Sequence, residues 1–164
     1  MTARPNPRQV RTPAGRLEEA QLQRVLGYQL AQATIVTDRI YMDKVGGPFE
    51  LRPVEYTVLT LIAENPGGSL AQVARALAVT APHISIMIDR LESRGLIKRE
   101  QSESDRRTQV LHTMAKGTEL VRKSTQLILD AEREVVGLTP GEQAMLVELL
   151  HKVALARGKA AAAG

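Results

Sequence analysis

TAPHISIMIDR, residues 80–90, decides how the rest of this chain is read. Ile84, Met87, Ile88 and, one step beyond, Leu91 recur at the i, i+3, i+4, i+7 spacing of one buried helical face. Pro82, Ser85, Ile86, Asp89 and Arg90 must then point the other way. Thr80 is a natural N-cap, Pro82 lies in the first turn where its missing N–H costs little, and Gly95 stands where a left-handed C-cap residue is wanted. A short helix with a compact, partly polar outer edge calls for a partner, and its neighbours in sequence indicate which.

Upstream, SLAQVARALAV opens with Ser69 and Gln72 in the S-x-x-Q capping-box pattern, and Leu70, Val73, Ala74 and Leu77 make a second aliphatic stripe. Only Ala78, Val79 and Thr80 separate the two helices. Before them, PVEYTVLTLIAE at residues 53–64 predicts another short helix, opened by proline and closed by NPGG. Downstream, residues 96–100 and 108–112 predict two short strands around the polar tip QSESDRR. Two short helices on a tight turn, followed by a hairpin, form a winged helix-turn-helix. The second helix of such a unit enters the major groove, which is about 12 Å wide and admits one helix, and the hairpin reaches an adjacent minor groove or backbone. Double-stranded DNA is the expected partner.

The flanks predict long helices. Residues 16–45 carry Leu22, Leu26, Leu30 and Ala33 on an approximate stripe, with no strong breaker before Gly46-Gly47-Pro48. Helix is expected again from about Thr113 to Val136, with Gly117 as a blemish. Thr139 and Glu142 then form a T-x-x-E box that opens a last helix to about Arg157. These stripes are too long for a small globule to cover, so a homodimer is expected. The fold class is mainly α with a small β-hairpin wing. The chain divides into a basic arm (1–13), an N-terminal dimerisation helix (14–48), the winged lobe (49–112), C-terminal dimerisation helices (113–158) and a tail (159–164).

Composition narrows the classes. Lys plus Arg number 22 against 18 Asp plus Glu, a net charge of +4, so the placement of charge matters more than its sum. Cysteine is absent, which excludes disulfides, thiolate metal sites and thiol redox sensing within this sequence. No run of 18 apolar residues and no signal-peptide pattern occurs, so a cytoplasmic protein without membrane contact is expected. The aromatics are Tyr28, Tyr41, Phe49 and Tyr56 alone, too few for a base-stacking platform. His83, His112 and His151 show no metal-ligand spacing, and no phosphate loop or nucleophile elbow is present. Glu18 and Glu19 splay about 100° apart on a helix. No enzyme activity, cofactor or metal is therefore expected.

The run from Leu51 through the recognition helix into IDRLESRGLIKR, with Asp105-Arg106-Arg107 at the wing tip, resembles the MarR family of bacterial transcription regulators. The resemblance covers about residues 17–157. It implies a homodimer with two winged lobes, a pseudo-palindromic operator, and release by a small molecule. It also implies that Arg107 is a minor-groove arginine, that Asp105 braces the tip, and that Arg106 contacts phosphate. For an effector it suggests the junction of the dimer helices with the lobe. There Tyr28, Gln32, Ile35 and Arg39 share one helical face and, with Tyr56, would enclose an aromatic or anionic ligand; the alternative is plain packing with an arginine laid along it. The family's Leu-Thr pair after the wing is replaced by Thr113-Met114, which puts the wing register in question.

Within the motif, Ala81, Pro82, His83, Ser85, Ile86 and Arg90 are the candidate DNA contacts. Ser85 suits a base edge or a phosphate, His83 a phosphate, and Arg90, two turns in, a phosphate clamp. Ile86 stands where the family commonly has a polar or basic residue. Either it packs on a thymine methyl or it marks a weaker reader. Asp89 repels DNA unless it is paired, and is expected to orient a nearby arginine. Arg75, Lys98 and Arg99 are backbone candidates of lower rank. The leading functional expectation is a repressor released by an aromatic acid or thioester; the alternative is a constitutive or architectural winged-helix protein with no effector.

Overall fold

The computed structural model describes residues 11–102 and 108–161, with side chains to residue 156. The helices are α1 (Leu26–Tyr41), α2 (Gly47–Phe49), α3 (Pro53–Glu64), α4 (Leu70–Leu77), α5 (Ala81–Ser93), α6 (Ala115–Val135) and α7 (Pro140–Ala161). The strands are β1 (Gly68–Ser69), β2 (Ile97–Gln101) and β3 (Gln109–Thr113), ordered β1-β3-β2 and antiparallel throughout. The chain is mainly helical with one small sheet, as the patterning predicts.

The lobe forms around a single aliphatic cluster. Val58, Leu59 and Ile62 from α3, Ile84, Ile88 and Leu91 from α5, Ile97 and Leu111 from the sheet, and Leu96 just before β2 are buried together. Each comes from the apolar stripe of its element, so burial follows the period. The helix α4 is capped reciprocally: Gln72 N–H donates to Ser69 Oγ at 3.3 Å, and Ser69 N–H donates to Gln72 Oε1 at 2.7 Å. Ala78, in left-handed conformation at φ 50°, ends it, and the chain bends by 115° into α5. That angle is the helix-turn-helix corner.

The long N-terminal helix departs from expectation at both ends. It begins at Leu26 because Val25 is extended (φ −92°, ψ 109°) and separates it from a 3₁₀ turn, Leu22–Arg24; further upstream, Gly15 and Arg16 take positive φ (78° and 50°) and fold residues 11–18 into a turn. Arg11 Nε donates to Glu18 at 2.7 Å across it. At the other end, Gly46 and Gly47 do not break the helix. They continue it through a π turn, Met42–Gly46, into α2, and the stop comes at left-handed Glu50 (φ 48°). The wing strands lie one residue later than the sequence indicates, pairing Ile97 with Thr113 and Gln101 with Gln109. Thr113 thus belongs to β3, Met114 is the N-cap of α6, and the helix starts at Ala115. The strand β1, pairing Gly68 with Leu111 and Ser69 with Val110, is too short to show an alternating pattern in sequence.

Gly117 is no blemish. A Cβ at that position would sit 2.1 Å from the Leu96 carbonyl oxygen, so only glycine lets α6 pass so close to the base of β2. Met114 N–H donates to the same oxygen at 2.9 Å.

Arg94, the C-cap residue of α5, ties the lobe to the long helices. Its guanidinium donates to the Phe49 carbonyl at 2.8 Å and the Glu50 carbonyl at 2.9 Å, while Lys116 Nζ of α6 donates to the Arg94 carbonyl at 3.1 Å. By contrast, α7 holds Met145, Leu146, Val147, Leu149, Leu150, Val153 and Leu155 exposed, and α1 leaves Leu26, Ile35 and Val36 in solvent. No single helix among the described residues is long and apolar enough to cross a membrane.

Candidate nucleic-acid interface

The recognition helix α5 exposes what the opening stretch predicts. Ala81, Pro82, His83 and Ile86 are exposed and Ser85 is half-buried, while Ile84, Ile88 and Leu91 face the core. Thr80 occupies the N-cap with extended backbone, but its hydroxyl bonds His83 Nδ1 at 3.1 Å instead of capping a backbone N–H. The exposed imidazole is thereby held beside the helix tip.

Charges along the outer edge are matched within the molecule. The Arg99 guanidinium of β2 pairs with Asp89 and, at 3.3 Å, with Glu92, fastening the wing to the recognition helix. Asp89 therefore has the arginine partner it needs to lie near DNA, and Arg99 is an intramolecular brace. Arg90 also turns inward: its guanidinium lies 3.0 Å from Glu55 Oε1 on α3. Glu55 is 2% exposed and accepts in addition from the Arg52 backbone N–H at 3.0 Å. A buried carboxylate demands such partners, so Arg90 is engaged in holding α5 against α3 before any DNA arrives. This pair left no mark in the helical pattern, since Glu55 reads as an ordinary first-turn acid.

On the wing, Lys98, Glu100 and His112 form a row of polar side chains across β2 and β3, with His112 Nε2 3.4 Å from Glu100. The Lys98 ammonium, hydrogen-bonded to Glu100, holds that carboxyl below its ordinary range. Asp105, Arg106 and Arg107 lie outside the described residues, as does most of the N-terminal basic arm.

The five residues expected to enclose an effector do not close a pocket within one chain, and Ile35 among them is exposed. The Tyr28 hydroxyl donates to Glu19 at 2.5 Å, beside Gln32, and the bond to that carboxylate raises the phenol's pKa. The Arg39 side chain is 86% exposed, with Asp43 at 3.9 Å. Tyr56 faces the long helices, sharing a 2.7 Å bond with Thr125 Oγ1 of α6 and packing its ring 5.8 Å from that of Tyr41 at the end of α1. Tyr41 in turn donates to the Leu51 carbonyl at 2.9 Å, and burial, then Tyr56 and Glu55, raise its pKa. Hollows of about 300 and 260 Å³ lie elsewhere, one between α3 and α4 around Leu61 and Val73, the other among Phe49, Leu96, Leu120 and Lys123.

Residues 51–108, most of the winged lobe, match the MarR family. A helix-turn-helix transcriptional regulator of Bacillus subtilis (strain 168), YkoM, whose role is uncharacterized, is 33% identical over 104 residues, 63% of this chain and 68% of that protein. The chain belongs to the MarR family. Among other relatives of this MarR-family chain, a putative transcriptional regulatory protein for the hcr operon of Thauera aromatica is 29% identical over 129 residues, 78% of each. The transcriptional repressor CouR, solved bound to a 23-mer DNA duplex, shares the fold with a TM-score of 0.75 and 28% identity, over 84% of this chain and 98% of that one. As a MarR-family member the chain is a DNA-binding transcriptional regulator and not an enzyme.

Proposed function

We propose that this regulator is a homodimeric repressor that covers a pseudo-palindromic operator and leaves it when a small aromatic or anionic molecule binds. The observation that carries the reading is the pairing of an outward helix edge with unspent apolar helices. Ala81, Pro82, His83, Ser85 and Ile86 face away from the core on α5, while α7 and α1 leave a run of large apolar side chains in water. Exposed aliphatic surface on that scale is removed by a second copy, since each buried side chain contributes about 1.5–3 kcal/mol. Two lobes joined in this way present two reading helices to successive major grooves, about 34 Å apart.

In this arrangement the tip of α5 contacts base edges, His83 contacts phosphate, and Arg106 and Arg107 carry the wing into a minor groove, where a narrow A·T-rich tract concentrates negative potential. Arg90 serves chiefly as the brace on Glu55. Repression by a DNA-bound relative, CouR, favours a repressor over an activator. The effector pocket, not closed within one chain, is completed at the subunit junction beside Tyr28 and Gln32.

Binding of the full chain to duplexes from its own upstream region, set against random duplex at moderate salt, tests the reading. The expected result is preference for one palindromic site, two chains per duplex, and a rise in melting temperature with some member of a panel of aromatic acids and thioesters. Equal affinity for random duplex ends the repressor reading. Operator binding with no effector response leaves the constitutive alternative.

A further inference from the structure

Among the described residues of the winged lobe, Ile86 is the one large apolar side chain left in water, at 59% exposure. Among the described residues, every other exposed large hydrophobic lies on the N-terminal segment, the long helices or their junctions, which the proposed dimer covers. Ile86 lies on the winged lobe and needs a different occupant.

The stripe on which it lies is Pro82, Ser85, Ile86 and Asp89, spaced i, i+3, i+4, i+7 opposite the buried Ile84, Ile88 and Leu91. None of the four is an arginine, lysine, asparagine or glutamine, the side chains that read guanine or adenine through paired hydrogen bonds. Asp89 is held by Arg99, and the neighbouring Arg90 is held by Glu55. What remains for a base edge is a half-buried hydroxyl and two apolar groups. The 5-methyl of thymine is the apolar feature that B-DNA offers in its major groove.

We infer that Ile86 reads the 5-methyl group of a thymine in each operator half-site, so that direct readout by this helix runs through apolar contact and not through a guanidinium or amide. The inference rests on the proposed docking of α5 in the major groove. It identifies Ile86 as a specificity-determining residue and explains why an isoleucine is tolerated in solvent: its surface is covered once DNA is bound.

Deoxyuridine differs from thymidine by that methyl alone, which makes the test clean. An operator is selected from a random-sequence library with the full chain, and its thymines are replaced singly, in both half-sites together, by deoxyuridine. Binding is read by fluorescence anisotropy. At one symmetric thymine pair the wild type weakens about fourfold per half-site, about fifteenfold for both. Ile86→Ala, a change at an exposed position that leaves the core intact, binds the unmodified operator correspondingly more weakly and loses less than about twofold on uracil substitution. Ile86→Val retains most of the methyl dependence. If every uracil operator binds the wild type like its thymine parent, or if Ile86→Ala loses as much as the wild type, the inference is wrong while the operator reading stands. If the selection yields no preferred sequence, both fall together.

Discussion

The Arg90 guanidinium sits 3.0 Å from a Glu55 carboxylate that is 2% exposed, joining the recognition helix to the helix behind it. Arg90→Ala strands that carboxylate with the Arg52 N–H as its remaining partner. Because Arg90 is 45% exposed, water relieves part of the penalty, and the expected loss is about 1–3 kcal/mol of folding stability. Glu55→Gln keeps an acceptor for Arg52 and loses less. Urea unfolding of both variants ranks them; equal losses would show that the charge of Glu55 is not what Arg90 answers.

Arg99 binds Asp89 and Glu92 at once, so it neutralises the acidic half of the recognition helix. Arg99→Ala releases two carboxylates beside incoming phosphates and lowers operator affinity about five- to tenfold at low salt. Adding Asp89→Asn recovers much of that loss, and raising the salt narrows the gap, since exposed charges are screened within about 10 Å at 0.1 M. An Arg99→Ala protein whose weaker binding is untouched by Asp89→Asn would make Arg99 a direct phosphate contact instead.

At Gly117 the prediction is steric. Gly117→Ala ordinarily favours a helix by up to about 1 kcal/mol, but here the methyl would overlap the Leu96 carbonyl oxygen at 2.1 Å. Overlap with backbone wins, and a net destabilisation of about 1–3 kcal/mol is expected in thermal or denaturant unfolding. Equal or greater stability would mean that α6 moves away from β2 at little cost.

Glu142 closes the cap of α7, accepting from Thr139 N–H at 2.8 Å and Thr139 Oγ1 at 2.7 Å, and the backbone bond, then the hydroxyl bond, lower its pKa below the ordinary 4.5. A depressed folded value means that the carboxylate stabilises the fold fully above 4.5 and loses that contribution as pH falls through the lower, folded value. Helicity of α7 should therefore soften in acid, and Glu142→Gln should flatten this part of the pH profile in circular dichroism. An unchanged profile in the variant would remove Glu142 as the source.

Much of this architecture was legible because it is local. The bounds of α3, the capping boxes at Ser69 and Thr139, and the two faces of α5 follow from periodicity and end signals that a dozen residues carry. The misses share a different cause. Gly117 looks like a weak helix residue until Leu96, distant in sequence, is placed above its Cα. Glu55 and Arg90 are 35 positions apart (90 minus 55) and carry no shared pattern. The π turn at Met42–Gly46 arises where the end of a long helix must reach the lobe, so two glycines that punctuate elsewhere are absorbed. The bond between Tyr56 and Thr125 joins positions 69 apart and is likewise invisible to any local pattern.

The tether at Arg94 sets how force would pass through the molecule. The tail of α5 is hooked to the Phe49 and Glu50 carbonyls by two bonds and is itself gripped by Lys116, so both long helices pull on one end of the rod that touches DNA. Pro82 and Ile86 lie toward the opposite end, and because Ile84, Ile88 and Leu91 seat the rod in the core along its whole length, it turns with the lobe as one body. A displacement of the long helices is thus carried through to the tip, where a shift of an ångström or so is enough to spoil a fit between surfaces.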